Sequence, residues 1–351
     1  MTAFPGFIDL QSGVDKTEAV AQWLEEGAWQ LIFRPIGFGK TAWLDLLQTY
    51  CDEAAAPYSE ERFPGTWIAA HPTVHKNARR VLRLSFQGCS GADGKTVFLE
   101  RLRAGMRDFF ARYPAEASEA ALVREEKSPA GLWDVFSRLV QPMGERRLVV
   151  LIDDVDGTGD DAAVLSARQR EGEKPWLTAF YGAMKNAQSL LGMRVFAVGE
   201  NPLALLEWCR GAGLSRNVTT DARYVALFGK AVRDSESEKT GDRFCFCRCS
   251  STVVRRAATP AEDVAAAFQK QRLNQILVLY PTAVAETLLT ALKSGSAPAG
   301  EPAKAAWHAP EEEMLLSSHL HLFYAGFLTY SGAGNRALQW TETALRVLDA
   351  D

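Results

Sequence analysis

Apolar residues recur at helical spacing through KTEAVAQWLEEGA (16–28), which closes on Gly27-Ala28, and then gather into the short apolar run Trp29-Gln-Leu-Ile-Phe33, with Gln30 its one polar residue. The first pattern predicts an amphipathic helix and the second a buried strand. The loop Arg34-Pro-Ile-Gly-Phe-Gly-Lys-Thr41 follows, after which AWLDLLQTY returns to the helical period. A similar order recurs downstream: Arg80-Val-Leu-Arg-Leu-Ser-Phe86 predicts a strand, followed by a Gly/Ser-rich loop and a helix near 97–112. Another helix is expected at 131–140. Arg147-Leu-Val-Val-Leu-Ile152 is the clearest buried strand of the chain and runs straight into Asp153-Asp-Val-Asp156. A helix around 176–191 then leads to the strand Arg194-Val-Phe-Ala-Val198. Strands alternating with helices of this length predict an α/β fold, a parallel sheet covered by helices on both faces. Ligands of such sheets sit at the carboxyl ends of the strands, where the glycine-bearing and acidic loops fall here.

The pattern changes near residue 230. Residues 231–262 are charged, Ser-rich and irregular; from 263 onward the period is helical, broken by a Gly/Ala/Pro/Ser stretch at 294–305. The expected organisation is an α/β domain over 1–230, an irregular insertion or linker over 231–262, and a smaller, mainly helical C-terminal region over 263–351. No internal repeat is evident.

Composition narrows the class. At 47% hydrophobic and 23% charged residues the chain reads as globular and not disordered. Its 39 basic and 43 acidic residues give a net charge of −4, which lends no support to direct nucleic-acid binding over a broad surface. The N-terminus lacks the basic start and apolar run of a signal peptide, and no apolar stretch is long enough to cross a bilayer. The expected location is cytoplasmic, with no membrane partner. Cys51, Cys89 and Cys209 are scattered singly, as free thiols in a reducing compartment would be. Cys245, Cys247 and Cys249 alternate, so a strand would carry them on one face. Zinc knuckles usually have two intervening residues, and no histidine is near, so a shielded loop or edge strand is expected in place of a metal site.

Strand, glycine-bearing loop, helix is the context that a phosphate-binding loop requires. Backbone N–H groups at the helix start wrap a phosphate, and the helix dipole favours its charge. Gly37 and Gly39 would let the backbone approach closely. Lys40 would neutralise the β and γ phosphates and Thr41 would ligate magnesium. Arg34 stands where the usual pattern has its first glycine, so the match is incomplete and an ordinary turn before a helix is the alternative. A second copy, Gly94-Lys95-Thr96, also lies between a strand and a helix, with Cys89 at the corresponding place. Periodicity does not choose between the two loops. An aspartate at the tip of a buried strand typically holds magnesium through water, which fits Asp153, and the next acidic residue often acts as general base, which fits Asp154. The alternative there is a polar strand end opening a turn at Asp156-Gly157.

Taken together, Val14-Asp-Lys-Thr17, Phe33-Arg-Pro-Ile-Gly-Phe-Gly-Lys-Thr41 and Leu151-Ile-Asp-Asp-Val-Asp156 resemble the AAA-ATPase-like family. That family carries a YVDKT start, an RPRRFGKS phosphate loop and an LIDEYD acidic strand. Phe180-Tyr181 with Lys185, Ala197-Val-Gly199 and Tyr224-Val-Ala-Leu-Phe-Gly229 match as well, and Leu322-Phe-Tyr-Ala-Gly-Phe-Leu-Thr329 is similar to its LYxxGYLT segment. The resemblance is fairly continuous over about 4–229 and patchy over 270–330. It implies a P-loop NTPase fold that takes ATP and magnesium, with Arg34, Pro35, Gly37, Phe38, Gly39, Lys40 and Thr41 at the nucleotide and Thr41 and Asp153 at the metal. The family's arginine at the loop start accounts for Arg34 and favours Lys40 over Lys95.

Departures bear on hydrolysis more than on binding. The family's paired arginines are Ile36 and Gly37 here, its glutamate is Asp154, and its Thr-Gly strand end is Val198-Gly199. Members often continue into a PD-(D/E)XK nuclease domain, for which no convincing carboxylate-and-lysine strand is found. Asn201 is a candidate γ-phosphate sensor, with a helix cap or turn before Pro202 as the alternative. Arg216 and Arg223 are candidates to complete the site, with a solvated surface role as the alternative. The leading expectation is a magnesium-dependent ATPase or ATP-driven switch, with Asp154 as the general base. The alternatives are a non-hydrolysing nucleotide-binding regulator or scaffold, and an accessory to a partner nuclease. Further copies of the chain and a partner nuclease are the candidate macromolecular partners.

Overall fold

The computed structural model describes residues 17–25, 29–33, 40–113, 126–143, 148–157, 175–199, 216–217, 282–296, 327–332 and 335–340, with single positions between. Helix α1 (Thr17–Glu25) precedes strand β1 (Trp29–Phe33), and helix α2 (Lys40–Cys51) follows it. After a 3-10 turn come the one-turn helices α3 (Ser59–Arg62) and α4 (Trp67–Ala70). Strand β2 (Arg80–Ser85) leads to α5 (Gly94–Arg112) and α6 (Pro129–Val140). Strand β3 (Leu148–Asp153), helix α7 (Pro175–Leu191), strand β4 (Arg194–Gly199) and the short β5 (Arg216–Asn217) complete the sheet.

The sheet is parallel throughout, in the order β2-β3-β4-β1-β5. Strand β4 therefore lies between β1 and β3. The sheet's alternation divides the core in two, as a period of two requires. Ile32, Val81, Val149, Leu151, Phe196 and Val198 pack with Trp23 and Leu24 of α1 and Trp43, Leu44 and Leu47 of α2. Leu31, Leu82, Leu84, Val150, Ile152, Val195 and Ala197 pack with Phe98, Phe109, Phe136 and Phe180 of α5, α6 and α7. Every residue of β3 is buried, which is why that run reads as continuously apolar and not alternating. The step from β1 to β2 moves one way along the sheet and carries α2 on one face. The steps from β2 to β3 and β3 to β4 move the other way and carry α5, α6 and α7 on the opposite face. One handedness of crossover requires that arrangement.

Local chemistry sets the element ends. Helix α6 starts at Pro129, two residues before the expected 131, because Gly131 N donates to Ser128 Oγ at 3.1 Å and proline suits the first helical position. Thr17, the last residue of the VDKT match, is buried, and its Oγ1 accepts from Ile68 N at 3.1 Å, joining α1 to α4.

The C-terminal region, expected to be mainly helical, contains helix α8 (Thr282–Lys293) and also an antiparallel hairpin of β6 (Leu328–Gly332) and β7 (Asn335–Trp340). The hairpin is an addition to the mainly helical pattern expected of this region. Trp340 Nε1 donates to Ser296 O at 2.7 Å, tying β7 to the end of α8. Val284, Leu288, Leu292, Leu328 and Trp340 belong to the same hydrophobic cluster as the α5–α7 face of the sheet. The 231–262 segment with Cys245, Cys247 and Cys249 lies outside the described residues. Among the described residues no helix is long and apolar enough to cross a membrane.

Candidate nucleotide site

The carboxyl ends of the strands line up across the sheet. Ser85 pairs with Asp153, Ile152 with Ala197, and Phe33 with Gly199. Strand β1 therefore ends at Phe33 beside the tip of β4, one strand from Asp153. Arg34, Pro35, Gly37, Phe38 and Gly39 lie outside the described residues, as do Asn201 and Arg223. Lys40 and Thr41 open α2, where backbone N–H groups lack helical acceptors. Lys40 is buried, at 7% exposure, whereas Thr41 is exposed.

The second loop is built differently. Lys95 is exposed, and its strand β2 is at the sheet edge, whereas β1 lies between β4 and β5. Gly94 has a packing explanation: a Cβ there would lie 2.4 Å from Cys89 O. Gly94 N also donates to Gly91 O at 3.1 Å in the turn before α5.

Asp153, 6% exposed, ends β3. Its Oδ1 accepts from Asp154 N at 3.2 Å, and its Oδ2 accepts from Arg83 Nη2 at 3.1 Å. The same Nη2 is 3.4 Å from Asp45 Oδ1 on α2, about one turn beyond Lys40 and Thr41. Arg83 thus links the head of α2 to the tip of β3. Burial pushes the Asp45 carboxyl above its usual range; Arg83 pulls it down and the neighbouring Asp153 charge pushes it up further.

The chain leaving β3 lies across the neighbouring strand ends. Phe86 N donates to Asp153 O at 3.0 Å on one side, and Val155 N donates to Val198 O at 3.0 Å on the other. Gly157 N donates to Asp154 O at 2.8 Å, closing a turn in which Asp154 has φ +49°. That left-handed backbone is uncommon for a residue with a Cβ, although aspartate tolerates it better than most. A Cβ on Gly157 would meet Phe86 O at 2.3 Å, and one on Gly199 would meet Asp156 Oδ1 at 2.4 Å. Asp156 therefore holds its carboxylate over the tip of β4, beside Phe33.

Nothing in the sequence marks Arg83 or Asp156 as a neighbour of these strand ends. Arg83 sits in a strand whose pattern otherwise reads as core, and nothing in its spacing marks two carboxylate partners. In the sequence Asp156 reads as part of a turn, although it is also the final acidic residue of the LIDEYD-like match. The residues present fit magnesium and a nucleotide: an exposed threonine at the head of a helix, a buried lysine beside it, and a strand-tip carboxylate of the hard-oxygen type magnesium takes.

The parallel sheet and the helix head at its carboxyl edge define an α/β protein of P-loop type. The family model described as "Predicted AAA-ATPase" matches residues 11–206, more than half of the chain, and the chain belongs to that AAA-ATPase-like family. Membership supports a nucleotide-binding, ATPase-like role. No curated protein matches the chain. A chain from a solved Drosophila structure, ORC bound to GC-rich DNA and Cdc6, is similar over 95% of this chain and 90% of that one, at 9% identity and a TM-score of 0.31. A likeness at that score carries no argument.

Proposed function

We propose that this protein binds ATP with magnesium at the carboxyl end of β1 and β3, and hydrolyses it to drive a conformational switch. The observation that carries the reading is the buried Lys40 at the head of α2, the helix whose Asp45 is joined through Arg83 to Asp153. In this reading the 34–39 backbone and Lys40 hold the phosphates, and Thr41 and Asp153 hold the metal. Magnesium, when bound, neutralises charge on the β and γ phosphate oxygens. Asp154 accepts a proton from the water whose oxygen attacks the γ-phosphorus as the bond to the β-phosphate bridge oxygen breaks. The shared core of the sheet, α8 and the hairpin offers the C-terminal region a route to respond to occupancy.

Phosphate release by the wild type and by Asp154→Asn tests the catalytic half. The variant is expected to keep ATP affinity and to lose about 10²–10⁴-fold in kcat, the usual range for a general base. Equal turnover in the two proteins removes Asp154 from that role. A second reading, occupancy without turnover, is favoured by the aspartate itself: it is shorter than the family's glutamate and sits on a left-handed backbone. ATP binding by a wild type that releases no phosphate would select it.

A further inference from the structure

Arg83 has a position that sheet packing alone does not explain. It projects from β2 on the α2 face, where Val81 is core, and its Nη2 lies between two carboxylates, 3.1 Å from Asp153 Oδ2 and 3.4 Å from Asp45 Oδ1. Its Nη1 is buried with no hydrogen-bond partner among the described residues. An orphaned buried donor is unfavourable, so an arginine kept for stability alone is a poor solution here. The second oxygen of Asp153 is engaged as well, by Asp154 N.

We propose that Arg83 is the resident cation of the Asp153 carboxylate, making that site accept a divalent metal only together with nucleotide and refuse the free ion. The proposal rests on the nucleotide reading above and concerns the specificity of the same site. A guanidinium stays protonated at every working pH, so the charge of Asp153 is already matched before any ligand arrives. A divalent ion approaching alone meets that matched carboxylate and a fixed positive charge within contact range. An ion arriving on a triphosphate brings its own anionic oxygens, and the balance becomes favourable. Asp45 gives Arg83 a second carboxylate to keep when Asp153 turns to the metal.

Manganese(II), titrated into the full chain without nucleotide and followed by its free-ion spin resonance signal, reads this directly. The wild type is expected to bind it weakly. Arg83→Gln leaves two facing carboxylates without their cation and is expected to bind manganese at least about tenfold more tightly, the scale of one neighbouring unit charge. Arg83→Lys keeps the charge and is expected to follow the wild type. Should Arg83→Gln not fold, Asp45→Asn/Arg83→Gln against Asp45→Asn gives the same comparison with one fewer unpaired carboxylate. Equal manganese affinity in wild type and Arg83→Gln overturns the proposal, as does tightening in Arg83→Lys. ATP with magnesium is run on the wild type in parallel: binding there isolates a failure to Arg83, and no binding overturns the nucleotide reading and this proposal with it.

Discussion

The carboxylate of Asp156 rests on the α-carbon of Gly199, so closely that a methyl group there would lie 2.4 Å from Oδ1 and 2.9 Å from Cγ. The contact joins the loop after β3 to the tip of β4, beside Phe33 at the end of β1. Gly199→Ala must push Asp156 aside, and it is expected to lower stability by about 1–3 kcal/mol, the range for overpacking. Asp156→Ala removes the nearest obstacle and leaves the Phe33 Cε1 contact at 3.1 Å, so Gly199→Ala is expected to cost clearly less in that background. Chemical denaturation of the four proteins measures the coupling; additive effects would mean that the contact is not formed.

Asp154 gives a test in which stability and activity part. Its φ of +49° is strained for an L residue and free for glycine. Asp154→Gly is expected to retain stability or raise it by up to about 1 kcal/mol while abolishing turnover. Loss of stability in this variant would show that the carboxylate holds the turn together.

Asp52 is fully buried at the far end of α2, where its Oδ2 accepts from Arg112 Nη1 at 2.6 Å and its Oδ1 from Tyr113 Oη at 2.8 Å and Ala54 N at 2.8 Å. Tyr113 Oη in turn accepts from Val81 N at 2.9 Å, so the network joins α2, α5 and β2. Asp52→Ala leaves a half-buried guanidinium without its carboxylate partner and is expected to cost about 3–5 kcal/mol in equilibrium unfolding. A loss below about 1 kcal/mol would contradict the account of this network as the anchor of the sheet's amino end.

Burial and the neighbouring Arg79 hold the buried His75 below the usual histidine range; Glu25 opposes them and Arg194 adds to them. Its Nδ1 accepts from Arg79 Nη2 at 2.6 Å, and its Nε2 is 3.3 Å from Glu25 Oε1. Because the folded value is depressed, the unfolded chain takes up the proton first as pH falls. Stability is therefore expected to be full above the unfolded value of about 6.5 and to decline below it, until the folded value is passed. Desolvation acts on His319 in the same direction. Melting followed from pH 7.5 down to about 5 checks the sign, and His75→Gln is expected to flatten the slope.

How much of this was legible without coordinates depended on periodicity. Trp29–Phe33 and Leu148–Asp153 are buried on both faces, and a buried parallel strand announces itself as a nearly continuous apolar run, broken here only by Gln30 and by Asp153 at the tip. Strand order was not legible, since β4 entering between β1 and β3 is a matter of crossovers and not of any local pattern. The two Gly-Lys-Thr loops looked alike in sequence; what separates Lys40 from Lys95 is burial, which follows from β1 being interior and β2 being an edge. Arg83 was invisible as a site residue because its partners, Asp45 and Asp153, are remote in sequence. The hairpin at 328–340 was hidden by short strands next to a helical pattern, although Gly332 and Asn335 are residues that turns favour.

The central claim is that Lys40, and not Lys95, meets the phosphates. The direct measurement is the shift in melting midpoint on adding ATP, with and without magnesium, for wild type, Lys40→Ala and Lys95→Ala. A ligand that binds only the folded state stabilises it by mass action, about 2.7 kcal/mol at a hundredfold excess over Kd. A shift present in the wild type, lost in Lys40→Ala and kept in Lys95→Ala is the predicted result. A shift lost only in Lys95→Ala, or absent from all three proteins, would contradict it.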